Sequence, residues 1–164
     1  MNAPMSRFQE VLLLVGQLNY TWTNTESLLI YLIAGLAKVD KETAIVIFLT
    51  LNTTRARVEL VERLAKMPGT PAECRHQVLE MASQLTRQGK LRNKYSHCIY
   101  SFDETGTRAS TQLMRIFDSK DAIKYGKIEA LDDSEMKRIV KSIDAIKAIN
   151  VGIWRIVEQN AYPH

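Results

Sequence analysis

The apolar positions of this chain recur mainly at three- and four-residue steps, and that period sets most of the expected architecture. From about Ser6 to Leu36, Phe8, Val11, Leu12, Val15, Leu18, Trp22, Leu29, Tyr31, Leu32 and Ile33 repeat with helical spacing. The middle of that segment, Thr21-Trp22-Thr23-Asn24-Thr25, is poor in helix formers, so a bend or break is expected there. Asp40 has the position of an N-cap for a helix over about Lys41–Leu51, and the Asn52-Thr53-Thr54 cluster ends it. The next helix runs from about Thr54 to Lys66, with Val58, Val61, Leu64 and Ala65 inward. Met67-Pro68-Gly69-Thr70-Pro71 is the clearest punctuation. Gly69 suits a helix end, Thr70 a cap, and Pro71 the first position of a long helix that extends to about His97.

After His97 the period changes. Ile99–Phe102 and Thr107–Phe117 are rich in aromatic, β-branched and threonine residues, and they flank Asp103-Glu104-Thr105-Gly106, which reads as a hairpin turn. Tyr125-Gly126-Lys127-Ile128 adds a third short extended piece. Leu131-Asp132-Asp133-Ser134-Glu135 places acids in the first turn of a last helix. That helix, to about Gln159, aligns Met136, Ile139, Val140, Ile143, Ile146, Ile149, Ile153 and Ile156 on one broad face. The fold class expected is all-α: one domain over residues 1–164, a bundle of about five helices, with a small β-hairpin insertion at about 99–131.

Composition adds limits. A chain of 164 residues can bury a substantial core, and 46% hydrophobic with 24% charged residues excludes a disordered polymer. The longest apolar runs, Val11–Val15 and Leu28–Ala37, fall short of the roughly 18–20 residues of a bilayer span, so no membrane partner is expected. Cys74 and Cys98 have neither metal spacing nor the look of a disulfide framework. With no signal-peptide pattern, they predict a reducing cytoplasm. The distribution of charge says more than its sum. Residues 41–98 hold ten bases against five acids, while the flanking segments are balanced or slightly acidic. A local basic excess fits a phosphate-bearing partner, and equally a solvated helix face.

The densest chemistry lies in Gly89-Lys90-Leu91-Arg92-Asn93-Lys94-Tyr95-Ser96-His97-Cys98. Arg87, Lys90, Arg92 and Lys94 occur with no acid between Met81 and Phe102. On a helix, Arg92 and His97 lie roughly 140° apart, with Asn93 and Ser96 between them. A glycine inside a helix costs about 1 kcal/mol relative to alanine. Gly89 therefore predicts that another element approaches the backbone closely there. A guanidinium can hold phosphate by two parallel hydrogen bonds, an imidazole exchanges a proton near neutral pH, and an amide can orient either. Bordered by small residues, this strip also suits a symmetric dimer in which two arginines and two histidines converge. The competing reading is a basic helix end with His97 beside the chain's exit and Arg92 paired with an acid, since the Arg–His spacing alone arises readily by chance. Arg55 and Arg57 are candidates for extending a phosphate-binding surface. No phosphate-binding glycine loop, dinucleotide fingerprint or carboxylate cluster for a metal is present, so no cofactor is expected.

Leu91-Arg92-Asn93-Lys94-Tyr95-Ser96-His97 resembles the Arg-x4–6-His signature of HEPN domains, a class of helical, nucleotide-associated domains. The polar residue after the arginine, the position late in a long helix and the amphipathic helix that follows also match. The resemblance covers about residues 6–97 and 133–159 and leaves the insertion unexplained. It implies a homodimer with a composite cleft and, in many members, metal-independent endoribonuclease activity. His97 would act as general base or acid at the ribose 2′-hydroxyl. Arg92 would bind the scissile phosphate with Asn93 in support, and Arg87, Lys90, Lys94 and Ser96 would contact RNA. Some members are toxins of toxin–antitoxin pairs, neutralised by a nucleotidyltransferase partner that modifies a tyrosine two residues past the histidine. Here that position is Ile99 and the tyrosine is Tyr100, so the resemblance supplies the partner class without its usual target. Tyr100 is expected instead as a strand residue packed on the bundle. Other members have lost catalysis, and the alternative expectation is a helical dimerisation or binding module for protein or nucleic acid.

Overall fold

The computed structural model describes residues 5–164. The helices are α1 (Arg7–Glu26), α2 (Leu29–Ala37), α3 (Lys41–Thr50), α4 (Thr54–Ala65), α5 (Ala72–Ser96) and α6 (Asp133–Gln159). Between α5 and α6 lie β1 (Cys98–Phe102), β2 (Ala109–Leu113), β3 (Ile116–Ser119), β4 (Ala122–Tyr125) and β5 (Ile128–Ala130). The chain is therefore mostly helical, but the all-α expectation is corrected. The strands form two antiparallel sheets, one of order β1-β2-β5 and the other the β3-β4 hairpin. The apolar, β-branched stretch Thr107–Phe117 is not one strand, because the Arg115 N–H turns back to the Leu113 carbonyl at 2.8 Å and separates β2 from β3. No helix among the described residues is long and apolar enough to cross a membrane.

The chain divides into two compact units, one formed by the residues up to Tyr20 with Lys90–Ile143, the other by Thr21–Gly89 with Asp144–His164. In the second unit, local capping sets the helix starts. Asp40 accepts from the Thr43 N–H at 2.7 Å and Thr53 from the Ala56 N–H at 3.1 Å. The expected break at Thr21–Thr25 does not occur; α1 continues to Glu26 and yields at Ser27–Leu28. Packing overrides propensity there. Thr21, Trp22, Thr25 and Glu26 are all buried, and Thr25 Oγ1 accepts from Asn150 Nδ2 at 3.2 Å. Gly89 is used as its cost predicted. A side chain there would stand 2.9 Å from the Trp22 ring, so α5 presents bare backbone to the indole. The small-residue position proposed for a dimer seam thus serves packing within the chain.

In the first unit, Val11, Leu18, Tyr95, Leu131, Met136 and Ile139 are buried. Phe8 and Leu12 do not join them, although both fit the helical period. Phe8 instead meets the Phe102 ring edge-on at 5.2 Å between centroids. Val140 and Ile99 are likewise exposed. The turn after β1 is organised by Asp103, whose carboxylate accepts from the N–H groups of Thr107 and Arg108 and the hydroxyls of Thr105 and Thr107. The Arg108 N–H bond, with the others, draws the Asp103 pKa down to about 2. Asp132 caps α6 through the Glu135 N–H at 3.0 Å.

Candidate nucleic-acid interface

The last turn of α5 delivers the candidate residues to the start of the sheet. His97 closes that turn, its N–H donating to the Asn93 carbonyl at 3.1 Å, and its own carbonyl accepts from the Met114 N–H at 3.0 Å. The chain therefore leaves the helix directly into β1, with the residue after β2 pinned to the His97 backbone. His97 and Asn93 are exposed, whereas Arg92, Lys94 and Ser96 are half-buried.

A cavity of about 570 Å³ opens at this point. Lys90, Asn93 and Lys94 line it from α5 and His97 from just after it, Thr111 and Leu113 from β2, Phe117 from β3 and Glu129 from β5, with Arg115 and Lys127 from the links before those last two strands. Arg92 stands outside this lining. Its Nη1 donates to Asn93 Oδ1 at 3.1 Å, which occupies the amide oxygen and leaves the Asn93 NH₂ as the group able to donate to a ligand. Of the three candidate catalytic residues, Asn93 and His97 thus share one cavity and Arg92 reaches it through Asn93. Arg87 belongs to the other unit. Ser96 donates to Asn19 Oδ1 at 3.0 Å.

Lys94 is held by ion pairs to Glu129 at 2.7 Å and Glu135 at 3.1 Å. Burial pushes its ammonium down, but the hydrogen bonds to the two carboxylates outweigh that and raise its pKa. Glu135 also accepts the Tyr95 hydroxyl, which with Lys94 and Arg138 lowers the Glu135 pKa. Burial, reinforced by that carboxylate, pushes the Tyr95 phenol up. This network ties α5 to β5 and α6. Because Lys94 and Glu129 neutralise each other, the cations in excess around the cavity are Lys90, Arg115 and Lys127. The hydrogen bond and charge of Lys94 lower the Glu129 pKa, and the charge of Lys127 adds to that.

Arg115, Phe117 and Lys127 were not among the residues singled out from sequence. They sit in the insertion that the motif does not cover. The signal available was the interleaving of bases and aromatics in Arg115-Ile116-Phe117 and Lys124-Tyr125-Gly126-Lys127. Gly126 allows the insertion to fold onto the cavity. A Cβ there would lie 2.0 Å from the Leu113 carbonyl oxygen, so only glycine permits this approach of the chain to β2.

Other candidates are committed elsewhere. Tyr100 lies on β1, half-buried, with its hydroxyl donating to the Tyr95 carbonyl at 2.6 Å. Burial pushes its phenol up. Arg57 pairs with Glu26 at 3.1 Å and donates to the Phe48 and Leu51 carbonyls; Arg55 pairs with Glu59 at 2.7 Å. A larger cavity of about 830 Å³ is lined by residues such as Phe102, Asp103 and Asp132, and by Arg7, which is paired with Asp133. It contains none of the candidate residues. Among the described residues, no group of three or more His, Cys, Asp or Glu side chains could hold a metal ion.

Comparison with protein-family models, curated proteins and solved structures finds no match to this chain.

Proposed function

We propose that this protein is a metal-independent endoribonuclease of the HEPN type, acting as a homodimer. The observation that supports this most directly is the exposed His97 imidazole on the rim of a cation-lined cavity, next to an Asn93 amide whose oxygen is held by Arg92. In the proposed reaction the ribose 2′-hydroxyl attacks the adjacent phosphorus. His97 takes the 2′-proton, and the bond to the 5′-oxygen breaks. A proton returned to that oxygen, by the His97 of the partner copy or by water, completes the exchange. The products are a 2′,3′-cyclic phosphate and a 5′-hydroxyl. The Asn93 NH₂ donates to the phosphoryl oxygens, and Arg92, which holds the Asn93 amide oxygen, stabilises the charge that builds on them through that contact. Acid–base assistance of this kind contributes about 10²–10⁴-fold, and a preorganised donor to developing charge about 10²–10³-fold.

The test is cleavage of RNA in excess EDTA by the wild type and by folded His97→Ala and Arg92→Ala variants, with the ends analysed for 2′,3′-cyclic phosphate. Cleavage that survives EDTA and disappears in both variants is the expected result. A folded dimer that leaves a broad RNA panel intact would refute it. That outcome would favour the second reading, a non-catalytic binding module, for which the exposed Ile116, Ile123 and Tyr125 of the β3-β4 hairpin are the supporting observation.

A further inference from the structure

The insertion contributes more to the His97 cavity than the helices do, and what it contributes has a recognisable chemistry. In the β3-β4 hairpin, Phe117 is directly opposite Lys124, so the two share one face. Phe117 is 46% exposed, and the Arg115 guanidinium lies 4.9 Å from the centroid of its ring. Both line the cavity, together with Lys90 from α5 and Lys127 from the turn before β5.

An exposed aromatic ring and a guanidinium plane offer a base two surfaces on which to stack, irrespective of its identity. Cations at the same cavity suit the phosphates on either side of that base. A volume of about 570 Å³ is of the size that holds a nucleotide-sized ligand. A duplex would present its bases already stacked, leaving the ring without a use. An acidic peptide would meet the cations but not the ring.

We infer that the strand insertion forms a subsite for one nucleotide of single-stranded RNA beside His97, with the base on Phe117 and Arg115 and its phosphates on Lys90 and Lys127. The inference rests on the ribonuclease reading and deepens it. The subsite sets where along a strand the 2′-hydroxyl meets His97.

The test measures binding of a short, labelled single-stranded RNA to the full chain by fluorescence anisotropy. A His97→Ala background keeps the probe intact, and circular dichroism checks the fold of each variant. Phe117→Ala is expected to weaken binding by about 5- to 150-fold, the range for loss of one aromatic stacking contact. Phe117→Trp retains binding, and Phe117→Leu, which keeps apolar bulk without a π face, behaves as the alanine variant does. Lys90→Gln with Lys127→Gln lowers the slope of log affinity against log salt by about 1.4, two phosphates' worth for a single strand. Failure of the parent to bind the probe overturns the subsite. So does a folded Phe117→Ala protein that binds as the parent does. If the wild type cleaves RNA and Phe117→Ala cleaves it with unchanged KM, the ribonuclease reading stands and the subsite falls. If RNA is bound through Phe117 but never cleaved, the subsite stands and the ribonuclease reading falls.

Discussion

Glu26 is the most exacting place to perturb this protein. Its carboxylate is buried on α1 and serves three donors: Trp22 Nε1 at 3.1 Å on one oxygen, and Thr54 Oγ1 at 2.6 Å with Arg57 Nη1 at 3.1 Å on the other. Removing one member of a buried ion pair costs about 3–5 kcal/mol, because the remaining charge loses its compensation. Arg57 would keep the carbonyls of Phe48 and Leu51 and the Phe48 ring, 4.0 Å from its guanidinium carbon. Glu26→Ala is therefore placed near the low end, about 3 kcal/mol. Glu26→Gln is the sharper variant. Its one oxygen can serve Thr54 and Arg57, but the amide NH₂ then faces the indole N–H, donor against donor. One buried donor left unsatisfied costs about 1–3 kcal/mol. At about 2–4 °C per kcal/mol for a chain of this size, Tm should fall by roughly 2–12 °C for Gln. The assay is thermal and guanidinium unfolding followed by circular dichroism and tryptophan fluorescence. Trp22→Phe supplies the control. It removes the indole donor, so Glu26→Gln should cost less in that background than in the wild type. A Glu26→Gln protein within about 0.5 kcal/mol of wild type, or no coupling between Trp22 and Glu26, would refute the reasoning.

Four further outcomes follow from the same kind of accounting. Gly126→Ala drives a methyl group into the Leu113 carbonyl and should cost about 1–3 kcal/mol, seen as early proteolytic cutting in the β3-β4 hairpin while α5 and α6 stay protected. Tyr95→Phe removes a hydrogen bond to a carboxylate and should cost about 1.5–3 kcal/mol at neutral pH by denaturant unfolding. Glu135 has a depressed folded pKa, so its contribution is complete above the unfolded value near 4.5 and is lost as pH falls through the folded value; the difference between Tyr95→Phe and wild type should shrink on acidification below that point. Gly35→Ala pushes a methyl group into the Tyr162 ring, whose hydroxyl lies 3.2 Å from the buried Cys74 thiol, so Cys74 should become reactive towards a thiol reagent at a rate the wild type does not show.

The helices were legible because their signals are local. The Asp40 cap, the Pro-Gly-Thr-Pro break before α5 and the isoleucine stripe of α6 act within a few residues, and the structure keeps them close to where they were read, although Thr70 donates to the Leu64 carbonyl instead of capping α5, which begins at Ala72 after Pro71. The strands were legible as extended segments, and β1 with β2 as a hairpin around the Asp103–Gly106 turn, but the pairings beyond that hairpin were not. Whether Thr107–Phe117 is one strand or two depends on a local turn of Arg115 onto Leu113, held in place by Gly126 meeting Leu113 and Arg115 from beyond the β3-β4 hairpin. Helical period also overstated the core at Phe8 and Leu12, because a stripe wider than its partner leaves its margin in solvent.

The same division runs through the candidate site. The sequence alone put Arg92, Asn93 and His97 at one helix end within a basic stretch, since helical spacing orders neighbours on one turn. It also foresaw that Gly89 must meet a close neighbour. Only the tertiary structure decided that the neighbour is Trp22, that Lys94 is tied to Glu129 and Glu135, and that Arg115, Phe117 and Lys127 complete the cavity around His97. The physical reason is range. Capping and periodicity are set within a turn or two, whereas ion pairing, ring stacking and cavity lining require segments whose meeting is determined by the packing of the whole unit.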